Sequence, residues 1–205
     1  MTQETTTATL VVGCGALGQE MVDFVRSVGA QDQVKLQCLP ADLHNRPALI
    51  PRKLRELLTQ TQGHYARTFV LYGDCGTAGG IDAVCDEFGV TRIPGAHCYQ
   101  FYMGEQAFDR YHDETPTTFY LTDYLVRHFE TLVIQGLALD RHPELMPDYF
   151  GHYTDLLYLA QTDDADLDAA GRAAAERLGL RYTRRLTGLG DMQTYLQPIA
   201  ITRPA

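Results

Sequence analysis

The sequence predicts an α/β fold with a single doubly wound, mostly parallel sheet. Short aliphatic and β-branched runs alternate with amphipathic segments of helical period, and strands separated by helices pair in parallel through crossovers. Glycines sit at the seams, as at Gly13, Gly73 and Gly95. The chain has 205 residues, no Gly-, Ser- or Pro-rich linker and no repeat of fixed period, which predicts one domain over residues 1–205.

Residues 10–12 read as a short buried strand running into Gly13-Cys14-Gly15. Leu17, Met21, Phe24, Val25 and Val28 then recur at helical spacing, and Gly29 suits the helix end. Residues 34–39 form a second strand and 40–47 a loop. Pro51 opens a helix that buries Leu54, Leu57 and Leu58. Residues 68–72 form a third strand ending in Gly73-Asp74-Cys75-Gly76. Ile81, Val84, Cys85 and Phe88 make one helical stripe, closed by Gly89. Residues 90–93 form a fourth strand leading to Gly95-Ala96-His97-Cys98.

A helix is expected over 101–111, and 118–121 is a strand or a docking segment. Thr122 caps a helix carrying Leu125, Phe129, Leu132 and Val133. Pro143 opens another, with Leu145, Tyr149, Phe150 and Tyr153 inward. Residues 156–160 form a strand, 164–178 an Ala-rich helix stopped by Gly179, and 182–186 a last strand, before a short helix near Met192. The aromatic-rich middle, 101–153, is expected to be a helical insertion on the sheet.

The 17 basic and 26 acidic residues give a net charge of −9, which disfavours nucleic acid and anionic lipid as partners. No apolar run approaches a membrane span. The start of the chain lacks the basic flank and apolar stretch of an export signal. Five cysteines, an odd number without the spacing of a disulfide scaffold, suit a reducing cytoplasm and free or metal-bound thiols.

In a parallel sheet the strand C-termini share one edge, outside which ligands bind. That edge is expected to collect Cys14, Cys75 and Cys98, with His44 from the loop after the second strand. Cys38, inside a strand, and Cys85, on an apolar helix stripe, read as small core residues. Cys14 and Cys75 precede expected helix N-termini, where positive partial charge favours thiolate. Gly13, Gly15 and Gly76 let the backbone approach a bound group. Crowded thiolates call for a cation: three with His44 suit zinc, and three alone suit a [4Fe-4S] cluster with one open iron. Asp74 and His97 are candidates either to orient the ligands from behind or to act as acid and base, and His44 is either the fourth ligand or a catalytic group beside an open position. No Cys-x-x-Cys pair accompanies them.

Other readings compete. Three unrelated loop cysteines would need no function at all. Gly13-Cys-Gly15-Ala-Leu-Gly18, after a strand and opening a helix, matches a dinucleotide fingerprint, with Asp42 placed for a ribose. Cys75 with Asp74 and His44 or His97 could form a thiolate–imidazole pair, and two facing cysteines could serve as acid and base.

Gly13-Cys14-Gly15-Ala16-Leu17, Leu43-His44-Asn45, Tyr72-Gly73-Asp74-Cys75-Gly76 and Gly95-Ala96-His97-Cys98 together resemble an uncharacterised family of about 200 residues, a domain of unknown function. Phe119-Tyr-Leu-Thr-Asp123 and Asp140-Arg-His-Pro143 extend the resemblance over most of the chain. Such proteins are often encoded near corrinoid-dependent methyltransferases. The resemblance implies one-carbon or methylated-amine metabolism, a small-molecule substrate, and a corrinoid or methyltransferase protein as partner. The combined expectation is a cytoplasmic metal-dependent enzyme, with a dinucleotide-binding oxidoreductase or a non-catalytic corrinoid or metal accessory protein as alternatives.

Overall fold

Parallel strands divide between two sheets instead of joining one. The computed structural model describes residues 6–200, with side chains for 8–197, so most of the stretch read for an export signal lies outside the described residues. The chain separates into two compact units, one formed by residues up to Cys98 together with those from Met192 on, the other by Tyr99–Asp191. The α/β class and the parallel pairing are as the sequence predicts. The single sheet is not, and the aromatic-rich middle builds much of a second unit.

The first unit contains β1 (Thr6–Cys14), β2 (Val34–Leu39), β3 (Tyr65–Leu71) and the two-residue β4 (Thr91–Arg92). Their order is β2-β1-β3-β4, with every pair parallel. Leu10, Val11 and Val12 of central β1 are fully buried, as a strand covered on both faces requires. The helices are α1 (Gly18–Ser27), α2 (Ile50–Thr61) and α3 (Gly80–Phe88). Winding runs outward from β1 to β2, then returns past β1 to β3. This reversal sets α1 on the opposite face from α2 and α3, which pack together and exchange an Arg55–Glu87 ion pair of 2.9 Å. The reversal makes the β1/β3 boundary a topological switch point, the place where open α/β sheets hold ligands.

The second unit holds β5 (Thr118–Thr122), β6 (Asp155–Ala160) and β7 (Arg181–Leu186) in that order, again parallel. Around them lie α4 (Cys98–Met103, whose first residue belongs to the first unit), α5 (Glu105–Glu114), α6 (Asp123–Arg127), α7 (Met146–Phe150) and α8 (Ala165–Leu178). The helix expected over 101–111 breaks at Gly104, whose φ of 81° no α-helix contains. Thr122 caps α6 by accepting the Leu125 N–H, and Asp164 caps α8. Leu121, Ile134, Leu156, Tyr158 and Ala175 form the centre of its core. From Met192 on, α9 (Asp191–Ala200) returns to the first unit, where Leu196 lines a small apolar cavity with Met21, Phe24 and Val25 of α1.

No helix among the described residues is long and apolar enough to cross a membrane.

Candidate functional site

Two loops leave the sheet side by side and carry two sulfurs with them. β3 ends at Leu71 and β4 at Arg92, yet pairing continues beyond both. The Asp74 N–H donates to the Gly95 carbonyl at 3.0 Å and the Cys75 N–H to the Ala96 carbonyl at 2.8 Å. Gly73 permits this approach: a Cβ there would lie 2.9 Å from the His97 carbonyl carbon and 3.1 Å from the Cys98 nitrogen. Arg92 fastens the pair. Its guanidinium forks onto Asp82 of α3 at 2.5 and 2.9 Å. Its remaining terminal nitrogen donates to the carbonyls of Ile93 at 2.8 Å and Gly95 at 3.1 Å, with a longer contact to Tyr72 at 3.4 Å. The result is a Cys75 Sγ–Cys98 Sγ separation of 3.3 Å.

Asp74 holds the Cys75 loop in shape. Its carboxylate accepts from the Thr77 hydroxyl at 2.8 Å and from the Ala78 and Gly79 N–H groups at 3.0 and 2.7 Å. Burial alone would raise its pKa, but these donors and Arg92 outweigh it and hold the carboxyl below its ordinary value. An ionised carboxylate with its oxygens so occupied anchors a loop. The structure thus gives Asp74 an anchoring place in the Cys75 loop. Cys75 itself adopts φ 50°, a left-handed conformation seldom taken by a side-chain-bearing residue outside functional or tightly constrained sites.

The two facing thiols are driven apart in acidity. The hydrogen bond from Cys98 lowers the Cys75 pKa against its burial, and backbone N–H groups of Cys98 and Gly73 help. Cys98 is pushed up, first by the same shared proton and then by burial. Of the two, Cys75 is the more acidic thiol and Cys98 the less acidic.

Cys14, at the end of β1, is buried, and its thiol is pushed up to about 11 by desolvation, which outweighs the Ala16 N–H and Tyr72. The helix-terminus effect expected there is outweighed by burial: Cys14 is followed by a 3-10 turn (Gly15–Leu17), and α1 starts only at Gly18. Beside Cys14 stands Tyr72, 1% exposed, whose hydroxyl has no well-formed hydrogen-bond partner. Burial raises its pKa, as do the charges of Cys14, Cys98 and Cys75, so the phenol lies within the field of all three sulfurs. Sequence reasoning passed over Tyr72 as the end of a strand. The signal for it was a phenol immediately before Gly73-Asp74-Cys75.

His44 lies in the 3-10 turn Ala41–Asn45 after β2. It keeps an exposed edge, yet the protein around its ring, and then His97, push its pKa down. Gly13 and Gly15 have packing reasons of their own: a Cβ would meet the end of Met21 at 2.8 Å in one case and the Leu39 carbonyl oxygen at 3.0 Å in the other. Gly76 turns the Cys75 loop at φ 80° against Pro47. Tight packing therefore accounts for the first two glycines of the dinucleotide pattern without a ligand. Cys85 is buried as expected, whereas Cys38 is exposed, because β2 is an edge strand.

Among the described residues, no group of three or more His, Cys, Asp or Glu side chains is arranged to hold a metal ion. Of the expected ligands Cys14, Cys75, Cys98 and His44, only Cys75 and Cys98 have sulfurs in direct contact. A family profile described as a protein of unknown function (DUF1638) matches residues 38–196. The chain belongs to the DUF1638 family. The region matched to DUF1638 takes in His44, Tyr72, Cys75, Arg92 and Cys98, and begins after Cys14. Searches among curated proteins and among solved structures find no match.

Proposed function

We propose that this DUF1638 protein is a thiol-centred enzyme whose site is the β1/β3 switch point, where Cys75, Cys98 and Cys14 surround Tyr72 and take up a thiophilic metal ion. The observation that carries the reading is the convergence itself. Three sulfurs and a buried phenol whose hydroxyl has no well-formed hydrogen-bond partner share the one sheet edge where the winding reverses. A buried hydroxyl left unsatisfied costs about 1–3 kcal/mol, and a bound group offering an acceptor would recover it.

Zinc suits the geometry better than a [4Fe-4S] cluster. Tetrahedral zinc with Zn–S bonds of about 2.3 Å sets neighbouring sulfurs about 3.8 Å apart. The Cys75–Cys98 separation of 3.3 Å lies near that edge, whereas a cluster takes each thiolate on a different iron and spreads them. Closing the set requires Cys14 to turn from Tyr72 towards the pair, with His44 as fourth donor or beside an open position. An ion so held would supply a Lewis acid or an activated thiolate to a small molecule. A methylated amine or a thiol is the substrate class to test, with a corrinoid or methyltransferase protein as partner.

The test is metal, iron and acid-labile sulfide measured per chain on protein purified without oxygen. One zinc per chain and no sulfide is expected, reduced at least tenfold in Cys75→Ser and in Cys14→Ser. Metal-free protein with undiminished activity would overturn the reading, and stoichiometric iron with sulfide would replace zinc by the cluster.

A further inference from the structure

We infer that Cys75 and Cys98 also form a redox-active dithiol that exchanges with small disulfides. This activity needs no metal ion and stands or falls separately from the zinc reading. It rests on geometry. The two sulfurs already touch at 3.3 Å, although 23 residues separate them in sequence. Forming a bond of about 2.05 Å requires only a short closing movement. The Arg92 fork and the two interloop backbone hydrogen bonds hold the loops in register. Both cysteines are partly exposed, beneath a rim in which Gly76, Ala96 and His97 are open to solvent. Cys14 is buried. A small disulfide therefore reaches the pair from the rim, and Cys75, carried on the exposed loop, meets it first.

The chemistry balances without an outside oxidant beyond the substrate. The Cys75 sulfur attacks one sulfur of RSSR, the S–S bond breaks, and the first RS⁻ leaves with the Cys75 proton as RSH. The Cys98 sulfur then attacks the Cys75 sulfur of the mixed disulfide. The second RS⁻ leaves with the Cys98 proton, and the Cys75–Cys98 bond forms. Two electrons and two protons pass from the cysteine pair to one disulfide, which becomes two thiols.

The experiment treats the reduced full-length chain, stripped of metal by a chelator, with oxidised glutathione, then alkylates, digests with trypsin and maps cross-linked peptides. The expected product joins residues 68–92 to 93–110, with loss of two hydrogens from the intact mass. Cys85 shares the first peptide, so the link must persist in Cys85→Ser and vanish in Cys75→Ser. Cys98→Ser should instead accumulate a glutathione adduct on Cys75 at least tenfold over the native chain. Glutathione on exposed Cys38 without any 75–98 link, in folded native protein, would overturn the proposal, because it shows that the oxidant worked and the pair did not respond. That failure leaves the metal analysis of untreated protein untouched, and an absence of metal leaves this cross-link standing.

Discussion

Replacing Arg92 with methionine keeps most of the stem and removes the fork that fastens the two sulfur-bearing loops. The Arg92 side chain is 14% exposed and that of Asp82 50%, so the ion pair is half open to water. Such a pair contributes at most about 1 kcal/mol. The carbonyls of Ile93 and Gly95 lose a charged donor, and one hydrogen bond from a charged group contributes about 1.5–3 kcal/mol. Gly95 keeps the Asp74 N–H, so the losses are not doubled. The total is roughly 2–4 kcal/mol. For a chain of this size that lowers Tm by roughly 4–16 °C, at about 2–4 °C per kcal/mol. Urea titration and thermal melting followed by circular dichroism measure it. Arg92→Lys, which keeps the charge and loses the fork, should fall between. The pH profile supplies a second check. Hydrogen bonding to Arg92 holds the Asp82 carboxyl below its ordinary value. Its contribution is therefore present above the ordinary carboxyl pKa of about 3.9 and lost as pH falls through the lower folded value. Arg92→Met should flatten stability in that acid window. A variant within about 0.5 kcal/mol of the native chain, with an unchanged rate of Cys75 alkylation, would refute the clamp.

Gly73→Ala should be costly for a different reason. Its Cβ meets backbone of the neighbouring loop at 2.9 Å, and backbone cannot yield as a flexible side chain does. A loss of about 2–3 kcal/mol is expected, with slower Cys75–Cys98 cross-linking, whereas Gly13→Ala, which meets only the end of Met21, should cost less in parallel urea titrations. Tyr72→Phe removes a hydroxyl that has no well-formed partner, so the metal-free chain should gain up to about 1–2 kcal/mol while a metal-loaded chain gains less; equal gains would argue against any bound group engaging the phenol. Asp123→Ala strips one buried carboxylate from four donors, namely the Tyr158 hydroxyl, the N–H groups of Gln161 and Thr162, and the Thr162 hydroxyl. It should destabilise the second unit by roughly 3–4 kcal/mol, measured by hydrogen exchange across β5 and β6.

The strands and their parallel pairing were readable because apolar runs and helical stripes are local patterns. Caps were readable too: Thr122, Gly89 and Gly179 all stand where their side chains or left-handed backbones are needed. Sheet membership was not. Whether β5 extends the first sheet or begins another depends on long-range pairing that no window of sequence contains. Edge position was hidden for the same reason, and Cys38, read as core, lies exposed on an edge strand. At the site, the edge shared by parallel strand ends brought out Cys75 and Cys98, but their meeting depended on β3 and β4 being neighbours, which the sequence does not reveal. Their contact needed Gly73 and Arg92, neither of which announces a role by type.

The acidity of the thiols shows where sequence logic meets its limit. A helix terminus was expected to favour thiolate at both Cys14 and Cys75. Only Cys75 follows, and not chiefly for that reason, since α3 begins five residues later at Gly80 and the leading cause is the proton of Cys98. At Cys14 desolvation wins over every donor. One thiol is therefore poised by a partner 23 residues away and another suppressed by burial, although the two look alike in sequence. A site built this way depends on the register of two loops more than on any single cysteine. Substitutions at Gly73 and Arg92 should therefore alter its chemistry as strongly as removal of Cys14.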